Sequence, residues 1–221
     1  SIAQLKGEQP SYESANGSLR FVDLFCGVGG LSAGLCSAAR AVGLTPEIIA
    51  CTDLDPTALN VLLSNHEVEH KLQIDVSSLV DYALRFDGMI PRLAYQPEIL
   101  DPVLSDQIGA VDVVIGGPPC QGHSNLNNHT RGSDLKNNLY MTVPVAGIAL
   151  GADLIIIENV PAVLRDKNRV VEQAISILEA QDYHVDHAVL EADRLGVPQT
   201  RKRHFLLASK SRKVLLKDLY H

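Results

Sequence analysis

Compact apolar runs alternate along this chain with longer stretches whose apolar positions recur at helical spacing. Leu19-Arg-Phe-Val-Asp-Leu-Phe25, Glu47-Ile-Ile-Ala-Cys51, Val111-Asp-Val-Val-Ile115 and Asp153-Leu-Ile-Ile-Ile157 are short and mostly apolar, and each predicts a buried strand. Leu72-Gln-Ile74 predicts a shorter one. Leu31–Val42, Leu139–Leu150 and Arg169–Ala180 carry the helical period. A further helix opens at Asp55-Pro56, an N-cap followed by a first-turn proline, and turns Ala58, Leu59, Leu62 and Leu63 inward. Tyr183–Leu190 alternates as a strand, Val197–Arg203 reads as a turn, and His204–Ala208 as a last strand. Strands alternating with helices predict an α/β fold with a doubly wound, mostly parallel sheet.

Three stretches break the pattern. Residues 1–17 are polar, with Gly7, Pro10 and Gly17, and predict a flexible tail ahead of one domain spanning 18–221. Residues 77–110 hold Pro91, Pro97 and Pro102 and predict a helix plus an irregular insertion. Gly122–Asn138 is rich in Asn, Gly, Ser and His without apolar periodicity, and predicts a mobile loop.

Composition narrows the classes. A chain of 221 residues with 46% hydrophobic residues can bury one well-packed core. Its apolar runs fall far short of the ~20 residues of a membrane span, and its start lacks a signal-peptide core. The four cysteines, Cys26, Cys36, Cys51 and Cys120, form no C-x-x-C pair. Neither a metal site nor a disulfide framework is expected. Reduced thiols fit an intracellular protein, cytoplasmic if the source is prokaryotic. The net charge of −7 is unusual for a stand-alone nucleic-acid binder. It is uneven, however: Arg194–His221 holds eight lysines and arginines against one acid, Asp218. That end is either a phosphate-facing edge or an ordinary solvated face.

The candidate chemistry sits where the strands stop. Gly116-Gly-Pro-Pro-Cys120-Gln ends the run 111–115, at the strand end where open α/β sheets place ligands. A thiol there is a small buried hydrophobe or a nucleophile, and its rigid presentation by two prolines favours the nucleophile. Phe25-x-Gly27-x-Gly29-Gly30 joins the first strand to a helix, and glycines there let a ligand approach the backbone. The third glycine of a dinucleotide fingerprint is replaced by Ser32, which favours an adenosine ligand over a pyrophosphate. Asp53 lies just past the second strand, where a carboxylate suits a ribose diol. Asp75 follows the third strand and can accept from an adenine amino group; cap or turn residues are the bland alternative for both. Glu158-Asn159-Val160 follows an apolar strand, where burial would favour a neutral, hydrogen-bond-donating acid. Arg201 and Arg203 have strand spacing and so share a face, suited to a base oxygen or a phosphate.

These motifs in this order resemble DNA cytosine-5 methyltransferases: Phe-x-Gly-x-Gly-Gly, Pro-Cys-Gln, Glu-Asn-Val and Gln-x-Arg-x-Arg, over about residues 19–209. The resemblance implies the S-adenosylmethionine-dependent methyltransferase fold. It places the donor over Gly27, Gly29 and Gly30, with Phe25 on the adenine, Asp53 on the ribose, Leu54 near the adenine, Asp75 and Val76 at its edge, and Leu139 by the amino-acid end. It implies that Cys120 adds to C6 of a flipped cytosine in double-stranded DNA, making C5 nucleophilic toward the donor methyl group. Glu158 then holds N3, and Arg203 with Arg201 faces O2 and phosphate.

The chain departs from the family pattern in three ways. His123 precedes Ser124 where an aromatic is usual. A target-recognition region does not follow the arginine motif, and the last Asn-containing motif is missing. The expectation is a catalytic part that needs a second polypeptide or a missing C-terminal segment. A tRNA cytosine-5 methyltransferase shares these motifs and stays open as an alternative. So does a non-catalytic donor-binding or scaffolding subunit, though such a subunit needs neither Cys120 nor Glu158.

Overall fold

The computed structural model describes residues 17–88, 90–119 and 139–220. In chain order the main elements are β1 (Ser18–Leu24), α1 (Gly30–Ala41), β2 (Thr45–Thr52), α2 (Pro56–Asn65) and β3 (Val68–Leu72). An insertion follows, with β4 (Val80–Asp81), β5 (Leu84–Asp87), β6 (Ile90–Leu93), β7 (Glu98–Ile99) and α3 (Pro102–Ser105). Then come β8 (Val113–Gly116), α4 (Leu139–Leu150), β9 (Leu154–Asn159), α5 (Val170–Glu179), β10 (His184–Glu191) and β11 (Lys202–Ser209). Seven strands form one sheet in the order β10-β11-β9-β8-β1-β2-β3. β1 pairs in parallel with β2 and β8, β2 with β3, and β8 with β9, whereas β11 runs antiparallel to both β9 and β10. The expected doubly wound, mostly parallel sheet is therefore present.

Alternation along the central strands divides the core between the two sheet faces. Phe21, Ile48, Val113 and Ile115 meet Leu31, Leu35 and Cys36 of α1 on one face. Val22, Leu24, Ile49, Val114, Ile155 and Ile157 meet α4 and α5 on the other. α4 is apolar all round and almost wholly buried, with Pro144 inside it. Asp55 caps α2 by accepting from the Thr57 amide at 2.8 Å, as its position before Pro56 predicts. Among the described residues no helix is long and apolar enough to cross a membrane.

The structure corrects three boundaries. The third strand is Val68–Leu72 rather than Leu72–Ile74. It is an edge strand in which Glu69 and Lys71 alternate with half-buried residues, so it lacks an apolar run. The helix expected within 77–110 shrinks to Pro102–Ser105, because the prolines fall among strands of two to four residues. The last strand begins at Lys202, which puts Arg203 inside it rather than in the preceding turn. The tail expectation, apart from Gly17, and the Gly122–Asn138 loop expectation lie outside the described residues.

Candidate active site

The ends of β1 and β2 build one side of the site from backbone geometry. Phe25 turns the chain with φ +58°, a left-handed conformation rare for an aromatic residue. Gly27 and Gly29 follow with φ +51° and +88°, and Gly29 starts α1. The Cys26 amide donates to Thr52 O at 3.0 Å, and the Gly29 amide to Cys26 O at 2.9 Å. A Cβ at Gly27 or Gly30 would meet nothing within 4 Å, so the outer surface of the turn is open to a ligand. A Cβ at Gly29 would lie 3.0 Å from Leu62, so the glycine there lets α1 and α2 approach.

Asp53 joins the two strand ends. Its Oδ2 accepts from the Gly27 amide at 2.8 Å and its Oδ1 from the Asp55 amide at 2.9 Å. Each carboxylate oxygen has a second lone pair, so two acceptor sites remain for a ligand diol. Asp75 caps the short turn Val76–Ser78, with Oδ1 accepting from the Ser77 amide and hydroxyl. Both the cap reading and the ligand reading of Asp75 therefore stand, because these bonds fall on one oxygen. A cavity of about 270 Å³ opens between these ends. Phe25, Asp53, Leu54, Asp75 and Val76 line it from the first three strands, Gly117 and Pro119 from the exit of β8, and Leu139 from the start of α4. Six residues singled out from the sequence thus share one cavity.

The other side is built by β8, β9 and β11. Glu158 and Arg203 form an ion pair at 2.8 Å, each with about a quarter of its side chain exposed. The sequence suggested an apolar surrounding for this acid; the structure sets a guanidinium against it. A Cβ at Gly117 would lie 3.6 Å from Glu158 Oε2, so the carboxylate borders the exit of β8. Arg201 does not join this pair. It precedes β11, is exposed, and its carbonyl accepts from the Ala192 amide. Cys120 lies outside the described residues, and Pro119, its neighbour in sequence, is the last described residue before it.

Two contributors were missed from the sequence. Asn159 is buried, donates from Nδ2 to Pro118 O at 3.0 Å and accepts the Val160 amide on Oδ1 at 2.8 Å. It thereby ties the Pro-Pro turn to the end of β9. Its place beside Glu158 was the available signal. Asp23 is fully buried under the glycine turn and accepts from the Ser32 hydroxyl at 2.5 Å. Burial pushes its carboxyl up to about 7. Ser32, which replaces the fingerprint glycine, therefore anchors α1 to β1.

Residues 19–218 match the model of the C-5 cytosine-specific DNA methylase family. The Bacillus subtilis type II methyltransferase M1.BsuMI is 34% identical over 203 residues, covering 92% of this chain and 45% of that protein. M.AgeI of Thalassovita gelatinovora is 31% identical, covering 86% and 39%. Among solved structures, a DNA modification methyltransferase encoded within an E. coli prophage superposes with a TM-score of 0.62 at 28% identity, covering 87% of this chain and 47% of that one. The S. pombe Dnmt2 methyltransferase superposes with a TM-score of 0.64 at 17% identity, covering 90% and 54%, a likeness of fold. The chain spans about half or less of the length of the curated relatives it matches.

Proposed function

The chain belongs to the C-5 cytosine-specific DNA methylase family, and on that premise we propose that it carries the donor site and catalytic groups for methylating C5 of cytosine in DNA. The observation that carries this reading is the shared cavity. It gathers the aromatic, the carboxylates and the apolar contacts expected for an adenosine ligand, and Pro119, the residue before Cys120 in sequence, is among its lining. These residues fit S-adenosylmethionine: Phe25 and Leu54 offer apolar faces, Asp53 keeps acceptor capacity, and the glycine turn is open. When bound, S-adenosylmethionine supplies an electrophilic methyl group.

The chain's own residues prepare the base. A cytosine leaves its stack at a cost of a few kcal/mol and enters the crevice. Cys120, as thiolate, forms a bond to C6, and electron density moves to C5. Glu158, once protonated, donates to N3 and stabilises the charge that develops on the ring. Arg203 holds Glu158 in place and faces O2 or the neighbouring phosphate, as would Arg201 once DNA is bound. Asn159 holds the Pro118 carbonyl, two residues ahead of Cys120 in sequence. Loss of the C5 proton and expulsion of the Cys120 sulfur release the base. Target recognition falls to a segment corresponding to the part of the relatives that this chain does not span, on the same chain or a second one.

The test is a DNA duplex carrying 5-fluorocytosine, which cannot lose a C5 proton and so traps the Cys120 adduct. A covalent complex that forms with the wild type and disappears with Cys120→Ser is expected. An adduct undiminished in Cys120→Ser overturns the assignment. Transfer to tRNA in place of DNA would replace the substrate while leaving the chemistry intact.

A further inference from the structure

Beneath the donor cavity lies a pair of thiols that this chemistry does not use. Cys26 follows Phe25 in the turn after β1, and Cys51 is the penultimate residue of β2. Parallel pairing sets Asp23 beside Cys51, and the Cys26 amide reaches Thr52 O. The two side chains meet in a small buried cluster closed by Leu59 and Leu62 of α2. Their proximity holds the Cys51 thiol down and pushes the Cys26 thiol up. Both sulfurs are free.

We propose that Cys26 and Cys51 are an oxidisable dithiol whose disulfide deforms the donor cavity. The oxidant is a hydroperoxide, one molecule for each pair. The Cys51 thiolate attacks a peroxide oxygen, the O–O bond breaks, and Cys51 becomes a sulfenic acid as hydroxide departs. That hydroxide takes the Cys26 thiol proton. The Cys26 sulfur then attacks the Cys51 sulfur, the S–O bond breaks, and a second hydroxide leaves and takes up the proton that Cys51 had lost. Two thiols and one hydrogen peroxide give one disulfide and two waters.

The consequence follows from position. Disulfide sulfurs stand about 2.05 Å apart, well inside the contact distance of two thiols. Closing that gap draws Cys26 toward β2, and its neighbours are Phe25, which lines the cavity, and Gly27, which donates to Asp53. Cys51 is fully buried and Cys26 only 7% exposed, so peroxide reaches the pair when the turn after β1 opens locally, and a bound donor that holds this turn closed slows oxidation.

The effect on binding rests on the donor-site reading above; formation of the disulfide does not. The experiment uses the chain carrying Cys36→Ser and Cys120→Ser, so that only this pair remains. It is treated with hydrogen peroxide, alkylated and mapped by peptide mass, and its affinity for S-adenosylhomocysteine is measured by calorimetry before and after. The expected result is a Cys26–Cys51 cross-linked peptide pair and an affinity loss of roughly tenfold or more, both reversed by dithiothreitol. Adding Cys51→Ser, or Cys26→Ser if that variant does not fold, should remove both effects. Two alkylated cysteines after peroxide treatment overturn the proposal, as does a cross-link that leaves affinity unchanged. If the reduced protein fails to bind S-adenosylhomocysteine, the donor reading falls. The peptide map, with amide exchange across residues 24–30, then still decides the dithiol.

Discussion

The donor side and the base side of this site are held by different means. On the donor side, the turn from Phe25 to Gly30 is fixed by backbone amides bonding to carbonyls and to Asp53, all from two adjacent strand ends. On the base side, side chains reach across to distant segments: Glu158 pairs with Arg203, and Asn159 donates to the Pro118 carbonyl across 41 residues. A turn fixed by its own backbone keeps its shape whatever enters. A pair of long side chains partnering each other can exchange that partnership for a substrate. The donor side is therefore pre-formed, and the base side is held ready to rearrange.

Substitutions should separate the two halves by observable. Glu158→Gln should lower methyl transfer by ~10²–10⁴-fold, the range for a lost acid-base group, with S-adenosylhomocysteine affinity unchanged. An equal fall in donor affinity would show that the halves are not separable. Asp23 tests the foundation of the donor side through pH. Its folded carboxyl lies at about 7, above the ordinary 3.8, so the native state keeps a proton that the unfolded chain releases. That contribution is intact below about pH 4 and is lost as the pH rises to about 7. Asp23→Asn should gain ~2–4 kcal/mol relative to wild type between those limits in urea titrations. Parallel pH profiles for the two proteins would rule this out.

Smaller effects should follow the contacts. Asp53→Ala should weaken S-adenosylhomocysteine by ~1.5–3 kcal/mol, the scale of a charge-assisted hydrogen bond, while sparing base-side chemistry at saturating donor. Unchanged calorimetric affinity would reject Asp53 as a ligand. Asn159→Ala leaves the Pro118 carbonyl and the Val160 amide without their side-chain partner and should cost ~1–3 kcal/mol of stability. It should also slow adduct formation on 5-fluorocytosine more than it alters donor binding, and the reverse ranking would place Asn159 in the donor half.

The same division explains what could be read from the sequence. Donor-side residues were legible because they stand at or near strand ends, a local signal that Phe25 and Asp53 carry directly after β1 and β2 and that Asp75 carries three residues past β3. Base-side identities were legible as motif members, but their partnerships were not. Nothing near Glu158 in sequence announces Arg203, and Asn159 is satisfied by a backbone carbonyl that any residue could have provided. Asp23 looked like one polar position in an apolar strand, since Ser32 becomes its partner only when α1 folds back. β3 was misplaced because an edge strand with one wet side has no apolar run to betray it. The insertion misled because its strands are too short for a period to show.

Antiparallel β11 fills the gap between β9 and β10 although it follows both in sequence. A chain emerging from the ribosome presents β10 before the strand that joins it to the sheet exists. The donor half, from β1 to β3, can assemble early from neighbours in sequence. Glu158 waits for Arg203 until Lys202–Ser209 is free to insert between two strands already synthesised. The order of synthesis therefore separates the two halves in time: the cavity can form on a nascent chain well before the charged pair that serves the base.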